Sequence, residues 1–165
     1  MKRILLTSLL AFSLAACGFQ LRSHATLPFA VMRVAAPGDS PLATELRRAL
    51  RVNNVRVIAE GEPIKDAEAT LHLISAINEK FILSLSAGGK VREFQLRSRI
   101  AFRVTDAKGS ELIPSSEIAL KRDFSFSDTQ TLAKEAEEAL LYRDMQNDAV
   151  QQILRRLAAV KPAPQ

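Results

Sequence analysis

Residues 94–104 read FQLRSRIAFRV, a stretch in which apolar and polar side chains take turns. Because successive side chains of a β-strand point to opposite faces of the sheet, this period of two predicts a long strand with one buried and one open face. The predicted open face carries three arginines, Arg97, Arg99 and Arg103. The predicted core face carries Phe94, Leu96, Ser98, Ile100, Phe102 and Val104. Such a pattern is typical of an antiparallel sheet covered on one side.

Further strands are predicted on both sides of this stretch. Gly88-Gly89 predicts a tight hairpin turn before it, and alternation from Thr70 predicts a partner strand that reaches Leu85. In that strand Leu71, Leu73, Ser75 and Ile77 are expected to share one face. Residues 106–109 predict the next turn, and a further strand is marked by Leu120, Arg122, Phe124 and Phe126. Two shorter strands are predicted nearer the N-terminus, over residues 29–35 and 55–59.

Two helices are predicted from their capping residues and apolar spacing. Ser40-Pro41 predicts the start of an amphipathic helix that runs to about Val52, because serine caps free amides and proline fits the first helical position. A second, longer helix is expected to begin at a cap formed by Asp128 or Thr129. Its predicted apolar stripe consists of Leu132, Ala136, Leu140, Leu141, Met145, Ala149, Ile153 and Leu157.

The order strand, helix, several strands, helix predicts an α+β fold. In it, two helices pack on one face of a mostly antiparallel, mixed β-sheet of four to five strands. The inward-facing positions predict a core built from Leu46, Leu50, Leu73, Phe94, Leu96, Ile100, Phe102, Leu140 and Ile153.

The N-terminus has the pattern of a bacterial lipoprotein signal peptide. Lys2 and Arg3 precede an apolar run over residues 4–14 that is too short to cross a bilayer as a helix. Residues 14–17, LAAC, then resemble a lipobox, in which Cys17 is lipidated and becomes the first residue of the mature chain. The alternatives for this single cysteine are a buried thiol or half of an intermolecular disulfide. Gly18 stands where aspartate would signal inner-membrane retention, so the lipoprotein sorting rule predicts the outer membrane.

These signals predict four segments. Residues 1–16 are expected to form the signal peptide, 17–28 the lipidated N-terminus and linker, 29–160 a single α+β domain, and 161–165 a flexible tail. The formal net charge is +5, and Lys2 and Arg3 contribute two of those charges. A mild basic excess favours an anionic partner without identifying it.

No arrangement of residues in the sequence predicts catalysis, a metal or a cofactor. His24 lies in the linker and His72 in a strand, with no carboxylate or cysteine at metal-ligand spacing. The sequence has no Gly-x-Ser-x-Gly elbow and no glycine-rich phosphate loop. We therefore expect a protein that is not an enzyme and has no catalytic residue, metal site or cofactor.

The arginine face has two interpretations. It is either a solvated sheet face that serves only solubility, or a surface that meets phosphates or carboxylates through the guanidinium groups. Nucleic acid is a poor candidate, because a lipid-anchored periplasmic protein meets none. Lipopolysaccharide is the abundant anionic molecule at that location.

Four stretches of the sequence resemble a known family, in the right order and over essentially the whole mature chain. They are CGFQLR at 17–22, LATELRRALRVNNVRV at 42–57, GGKVREFQLRSRIAFRVTDAKG at 88–109, and the final helix from LAKEAEEALLYRDM through AVQQILRRL. Together they resemble the LPS-assembly lipoprotein family LptE. The chain departs from the family pattern at Ser23 and Asn54, where glycine is usual.

The resemblance implies a role at the outer membrane. Proteins of this family form a one-to-one complex with the outer-membrane β-barrel LptD, plug its lumen, assist its assembly, and bind lipopolysaccharide during delivery to the outer leaflet. A wide barrel leaves a lumen that a compact α+β domain with polar outer faces would fill. The alternative is a structural or adaptor envelope lipoprotein that serves another outer-membrane machine, and a third, weaker interpretation is a lipid-anchored hydrolase.

The resemblance also implies candidate binding residues. The family's proposed lipopolysaccharide contacts are basic residues at the central hairpin tip and at the start of the last helix. Lys134 matches the helix position, whereas Ala87 stands at the tip position, which leaves Lys90 and Arg92 as the tip candidates. Candidate contacts to the barrel are the three arginines of the open strand face, Arg97, Arg99 and Arg103.

Overall fold

The helices and strands follow one another along the chain in the order that the sequence predicts, and they are described in a computed structural model. It describes residues 27–59, 62–63 and 66–161. Within this part of the chain the elements are β1 (Val31–Ala35), α1 (Pro41–Val52), β2 (Arg56–Val57), β3 (Ala69–Leu85), β4 (Val91–Asp106), β5 (Glu111–Ser125) and α2 (Thr131–Ala158). A 3-10 turn, Asp128–Gln130, precedes α2.

The strands form one mixed sheet in the order β2-β1-β3-β4-β5. β1 is parallel to both β2 and β3. The connection from β1 to its parallel neighbour β2 crosses over through α1. β3, β4 and β5 are antiparallel and are joined by short turns, so they form two long hairpins. The prediction of two helices with a mostly antiparallel, mixed sheet is confirmed.

The alternation of residues 94–104 is borne out along β4. Leu96, Ser98, Ile100, Phe102 and Val104 are buried, while Arg99 and Arg103 are exposed. Phe94 is only partly buried, because it lies where the sheet extends beyond the main core. The core face of the sheet is therefore the one that the sequence predicts.

A β-bulge at Ile74 changes the faces of β3. Leu73 pairs with Phe102, but the next paired residue, Ser75, lies opposite Ala101, so Ile74 is the extra residue. Beyond the bulge Ala76 pairs with Ile100 on the helix-covered side, whereas Ile77 pairs with Arg99 on the open side. The prediction that Ser75 and Ile77 share a face with Leu73 is therefore wrong, since one inserted residue inverts the alternation.

The first helix begins as predicted. Ser40 Oγ accepts a hydrogen bond from the Ala43 amide at 3.3 Å, and Pro41 occupies the first turn. The helix ends at Val52, and Asn54 takes a left-handed backbone conformation with φ of 62°. The strand that follows is shorter than expected, because only Arg56 and Val57 pair with β1.

The second helix begins later than predicted. Asp128 and Thr129 form the 3-10 turn, and α2 starts at Thr131 with no side-chain hydrogen bond at its cap. The prediction that Asp128 or Thr129 caps this helix is therefore wrong.

The main core lies between the two helices and the end of the sheet where β3 pairs with β1. A smaller cluster of Leu96, Phe124 and Met145 lies beyond it. In α2 every buried residue lies at or after Met145, and Leu140 is 55% exposed. The prediction of Leu140 as a core residue is wrong, because the adjacent Leu141 and Tyr142 take the sheet-facing side of the helix instead.

Candidate functional site

The lipidation site predicted at Cys17 lies outside the described residues. The same holds for the signal peptide and most of the linker, so the lipid anchor stays a prediction from the sequence. Among the residues that the structure describes, none of the helices has the length and apolar character needed to cross a membrane.

The side of the sheet that faces away from the two helices is called here the open face. It carries Arg97 and Arg99 on β4, opposite Glu79 and Ile77 of β3, and Arg103 farther along β4. The position of all three arginines on this face agrees with the sequence prediction.

Each of these three arginines has a partner within this chain. Arg99 pairs with Glu79 at 3.1 Å, and Arg103 lies 3.9 Å from Glu111. Arg97 donates from Nε to Gln95 Oε1 at 2.6 Å, and its guanidinium lies 4.4 Å from the centre of the Phe81 ring. Ion pairs between exposed side chains contribute little stability, so a partner's carboxylates or hydroxyls can replace them at small cost.

Apolar side chains lie among these charges. Ile77 and Phe81 are exposed on the open face. A further cation, Lys121 of β5, lies opposite Arg97 in the strand register. A face with exposed aromatic and aliphatic groups between arginines has the composition typical of a protein interface rather than of a plain solvated surface.

His72 lies on the open face near its arginines. Its Nε2 lies 3.1 Å from Thr105 Oγ1. Burial lowers the pKa of His72 from its ordinary value, and the positive charges of Arg103 and Arg33 lower it further. This histidine is therefore held in its neutral form over a wider range of pH than a free imidazole.

The hairpin tip carries the candidate residues Lys90 and Arg92. Lys90 Nζ lies 3.1 Å from Asp128 Oδ2, so the tip reaches the turn that precedes α2. The Arg92 carbonyl accepts a hydrogen bond from the Phe126 amide at 2.8 Å, while its exposed side chain makes no ion pair with a described residue. The tip and the start of the last helix thus border the same end of the molecule.

Lys134, the helix candidate, is less accessible than the sequence suggests. Its side chain is 15% exposed, and Nζ contacts Glu137 at 2.8 Å and Ser125 Oγ at 3.2 Å. A ligand phosphate at this position has to compete with the Glu137 carboxylate. Arg92 and Lys90 are the more accessible cations of this end.

The tip of the β3–β4 hairpin is also apolar, which the sequence analysis missed. Phe81, Ile82, Leu83 and Leu85 are each at least two-fifths exposed. The signal was present in the sequence as FILSL at 81–85, where four apolar residues stand without alternation. Such a run on a strand that is not fully buried predicts apolar exposure on both faces.

Among the residues described, no three histidine, cysteine, aspartate or glutamate side chains lie close enough to hold a metal ion. The candidate site consists of two surfaces, the open face and the basic, apolar hairpin tip.

Solved structures with this architecture place the fold in a class. The chain is similar to lipoprotein B of Nitrosomonas europaea, with a TM-score of 0.75 and 44% identity over 86% of this chain and 91% of that chain. It is also similar to the rare lipoprotein B of Shewanella oneidensis, with a TM-score of 0.67 and 27% identity over 78% of this chain and 94% of that one. The fold is therefore that of a class of bacterial lipoproteins.

Sequence comparison identifies the family. The model of the LptE family, described as lipopolysaccharide-assembly, matches residues 29–157. The LPS-assembly lipoprotein LptE of Yersinia pestis (strain Pestoides F) is 29% identical over 99% of this chain and 80% of its own length. The chain belongs to the LptE family of lipopolysaccharide-assembly lipoproteins.

Proposed function

We propose that this protein is anchored by Cys17 on the periplasmic side of the outer membrane, plugs and assists assembly of the LptD barrel, and binds lipopolysaccharide on its way to the outer leaflet. It acts as a binding and assembly factor, without a catalytic step or a cofactor. Membership of the LptE family supports the general role in lipopolysaccharide assembly.

The observation that carries the barrel contact is the open face. No described element covers this side of the long β-hairpins, although it carries Ile77 and Phe81 between the arginines. An uncovered sheet face of this composition is expected to have a partner, because water solvates exposed aromatic and aliphatic groups poorly. A polar barrel lumen supplies acceptors for Arg97, Arg99 and Arg103.

The proposed lipopolysaccharide contact is at the other surface, the hairpin tip. The lipid part of lipopolysaccharide combines phosphates with acyl chains, and the tip combines Lys90 and Arg92 with exposed Ile82, Leu83 and Leu85. A phosphate that approaches Lys90 replaces the weak, exposed pair with Asp128. Lys134 adds a third cation when a ligand phosphate replaces Glu137 as the partner of its ammonium group.

Two triple variants separate these contacts. One replaces Arg97, Arg99 and Arg103 with serine, and the other replaces Lys90, Arg92 and Lys134 with serine. We expect the first to lower recovery of the LptD barrel from outer membranes and the second to lower lipopolysaccharide binding by the purified protein. Binding by the tip residues should weaken as salt rises, because exposed charges are screened.

The matched control replaces Arg51, Arg143 and Arg155, three exposed arginines of the helices, and removes the same charge. It should leave both readouts unchanged. If the open-face variant retains full barrel recovery, that face is not the contact. If the wild-type protein instead recovers a smaller envelope protein in place of the barrel, the chain is an adaptor for another machine.

A further inference from the structure

A cleft of about 280 Å³ lies where the N-terminus of α1 meets the sheet and α2. Its lining includes Ser40 at the start of α1, Leu73 and Asn78 of β3, Ser98 and Ile100 of β4, and Gln146 of α2. The cleft lies on the helix-covered side of the sheet and does not include the basic tip residues or the arginines of the open face. It is therefore a separate feature from the surfaces of the proposed function.

Three polar side chains from three different elements border this cleft without internal partners. The side chains of Asn78, Ser98 and Gln146 make no hydrogen bond to any residue that the structure describes; Asn78 is exposed and Gln146 half-buried, so Ser98 is the buried member of the three. Ser98 is only 5% exposed. Every fully enclosed side-chain nitrogen or oxygen in the described part has a partner, so the Ser98 hydroxyl must open into the cleft. A buried hydroxyl on a sheet's core face is costly unless something bonds to it.

The charged side chains around the cleft disfavour an ionic ligand. No lysine or arginine of the described residues lines it, and Asp39 at its border disfavours an anion. A single carboxylate is too little to hold a metal cation. The ligand is therefore uncharged and carries both hydrogen-bond donors and acceptors, to match two carboxamides and a hydroxyl.

The apolar part of the lining further restricts the class of ligand that fits the cleft. The aliphatic side chains of Leu73 and Ile100 line the cleft on the sheet side, and that of Leu42 lines it at the start of α1. The volume lies just below the range of ligand pockets, which run from about 300 to 1,000 Å³, so the ligand is small. A single sugar ring meets these requirements, since its hydroxyl groups radiate from its edge and its C–H groups form an apolar face.

We propose that this cleft binds one uncharged sugar residue. The sugar lies with its C–H face toward Leu73 and Ile100, and its hydroxyls exchange hydrogen bonds with Asn78, Ser98 and Gln146. A sugar of lipopolysaccharide and a free sugar or one from another polysaccharide share this chemistry, and the two arms of the test distinguish them.

The test is an NMR titration of the full mature chain in a zwitterionic detergent that has no sugar headgroup. One arm uses free glucose, galactose and N-acetylglucosamine at tens of millimolar, and the other uses deacylated lipopolysaccharide. We expect shifts at Ser98 and at the side-chain amides of Asn78 and Gln146. Replacing Asn78 and Gln146 together by alanine should weaken binding about tenfold or more. Asn147→Ala, at an exposed neighbouring position, is the matched control and should bind normally.

Each outcome decides the proposal. Shifts in the second arm alone assign the sugar to lipopolysaccharide, whereas shifts in both arms show a general sugar site. The absence of shifts at the cleft in both arms overturns the proposal. If the cleft variant no longer recovers the barrel, and no sugar changes the NMR chemical shifts of the cleft residues, a loop of the barrel occupies the cleft. That outcome also overturns the sugar site. Loss of lipopolysaccharide binding in the tip variant is a separate readout, so the proposed function and this inference fail independently.

Discussion

The ammonium group of Lys80, on β3, lies 2.5 Å from a carboxylate oxygen of Glu138, on α2. The same nitrogen lies 4.2 Å from the centre of the Phe94 ring. Nearby, the Tyr142 hydroxyl donates to the Glu79 carbonyl at 3.0 Å. The Lys80–Glu138 and Tyr142–Glu79 contacts join the first half of α2 to the β3–β4 hairpin beyond the bulge at Ile74, whereas the Lys80–Phe94 contact joins β3 to β4. In this half of α2 no described residue is fully buried. At this end the ion pair and the hydrogen bond therefore add to the packing of the partly buried Leu141 and Tyr142 against the sheet.

The first prediction concerns that connection. A double-mutant cycle with Lys80→Ala and Glu138→Ala should give a coupling energy of about 0.5–1 kcal/mol in urea unfolding, because the pair is only partly exposed. The Arg48–Glu45 pair of α1, whose arginine is 73% exposed, is the control and should couple by less. Equal coupling in both pairs would show that the environment of Lys80 adds nothing.

The second prediction concerns the core. Ile100 is fully buried on β4, and Ile100→Ala should lower the free energy of unfolding by about 2–5 kcal/mol, through lost burial and the cavity left behind. Arg99→Ala, on the open side of the same strand, should change it by about 0.5 kcal/mol or less. Leu140→Ala should also be nearly neutral, because that side chain is exposed. Equal losses at Ile100 and Arg99 would contradict the assignment of faces.

The third prediction concerns pH. The pKa of His72 is lower in the folded chain than its ordinary value of about 6.5, so between those two values the unfolded state binds more protons. The stabilising contribution is thus complete above about pH 6.5 and is lost as the pH falls toward the folded pKa. His72→Gln should flatten the pH dependence of the melting temperature in this range. An unchanged acid slope in that variant would show that His72 is not its source.

The fourth prediction concerns the anchor. Cys17→Ser should leave the precursor uncleaved by the lipoprotein signal peptidase and without lipid, because the lipobox loses its nucleophilic thiol. Mass spectrometry of the purified wild-type protein should find the acylated Cys17 at the N-terminus. A free thiol at Cys17 in the wild-type protein would defeat the assignment.

Much of the fold follows from local pattern. The alternation of residues 94–104 placed β4 and its buried face correctly, and Ser40-Pro41 placed the start of α1. Both signals act within a few residues, through side-chain periodicity and a capping hydrogen bond. They therefore need no knowledge of what packs against them.

The candidate site was less predictable. The three arginines of β4 lie on the open face as expected, but their partners Glu79, Gln95 and Glu111 follow from the pairing register and from neighbouring side chains. Lys134 was predicted as a ligand contact, yet its contact with Ser125 depends on where α2 lies relative to β5. Its pair with Glu137 is a contact between residues three apart on one helix, which follows from the sequence spacing. Charge in a sequence says which groups are present, whereas burial and pairing decide which are available.

The sequence by itself determined the strand and helix types, the sidedness of β4, the family resemblance and the lipobox at Cys17, since each depends on residues close together in the chain. Only the tertiary structure decided the bulge at Ile74, the exposure of Leu140 and the cleft at Ser98. A bulge is set by the register between two strands, and exposure by the reach of a helix over a sheet. Both features depend on the free energy of contacts between segments that are distant in the sequence, and a local sequence pattern carries no information on those contacts.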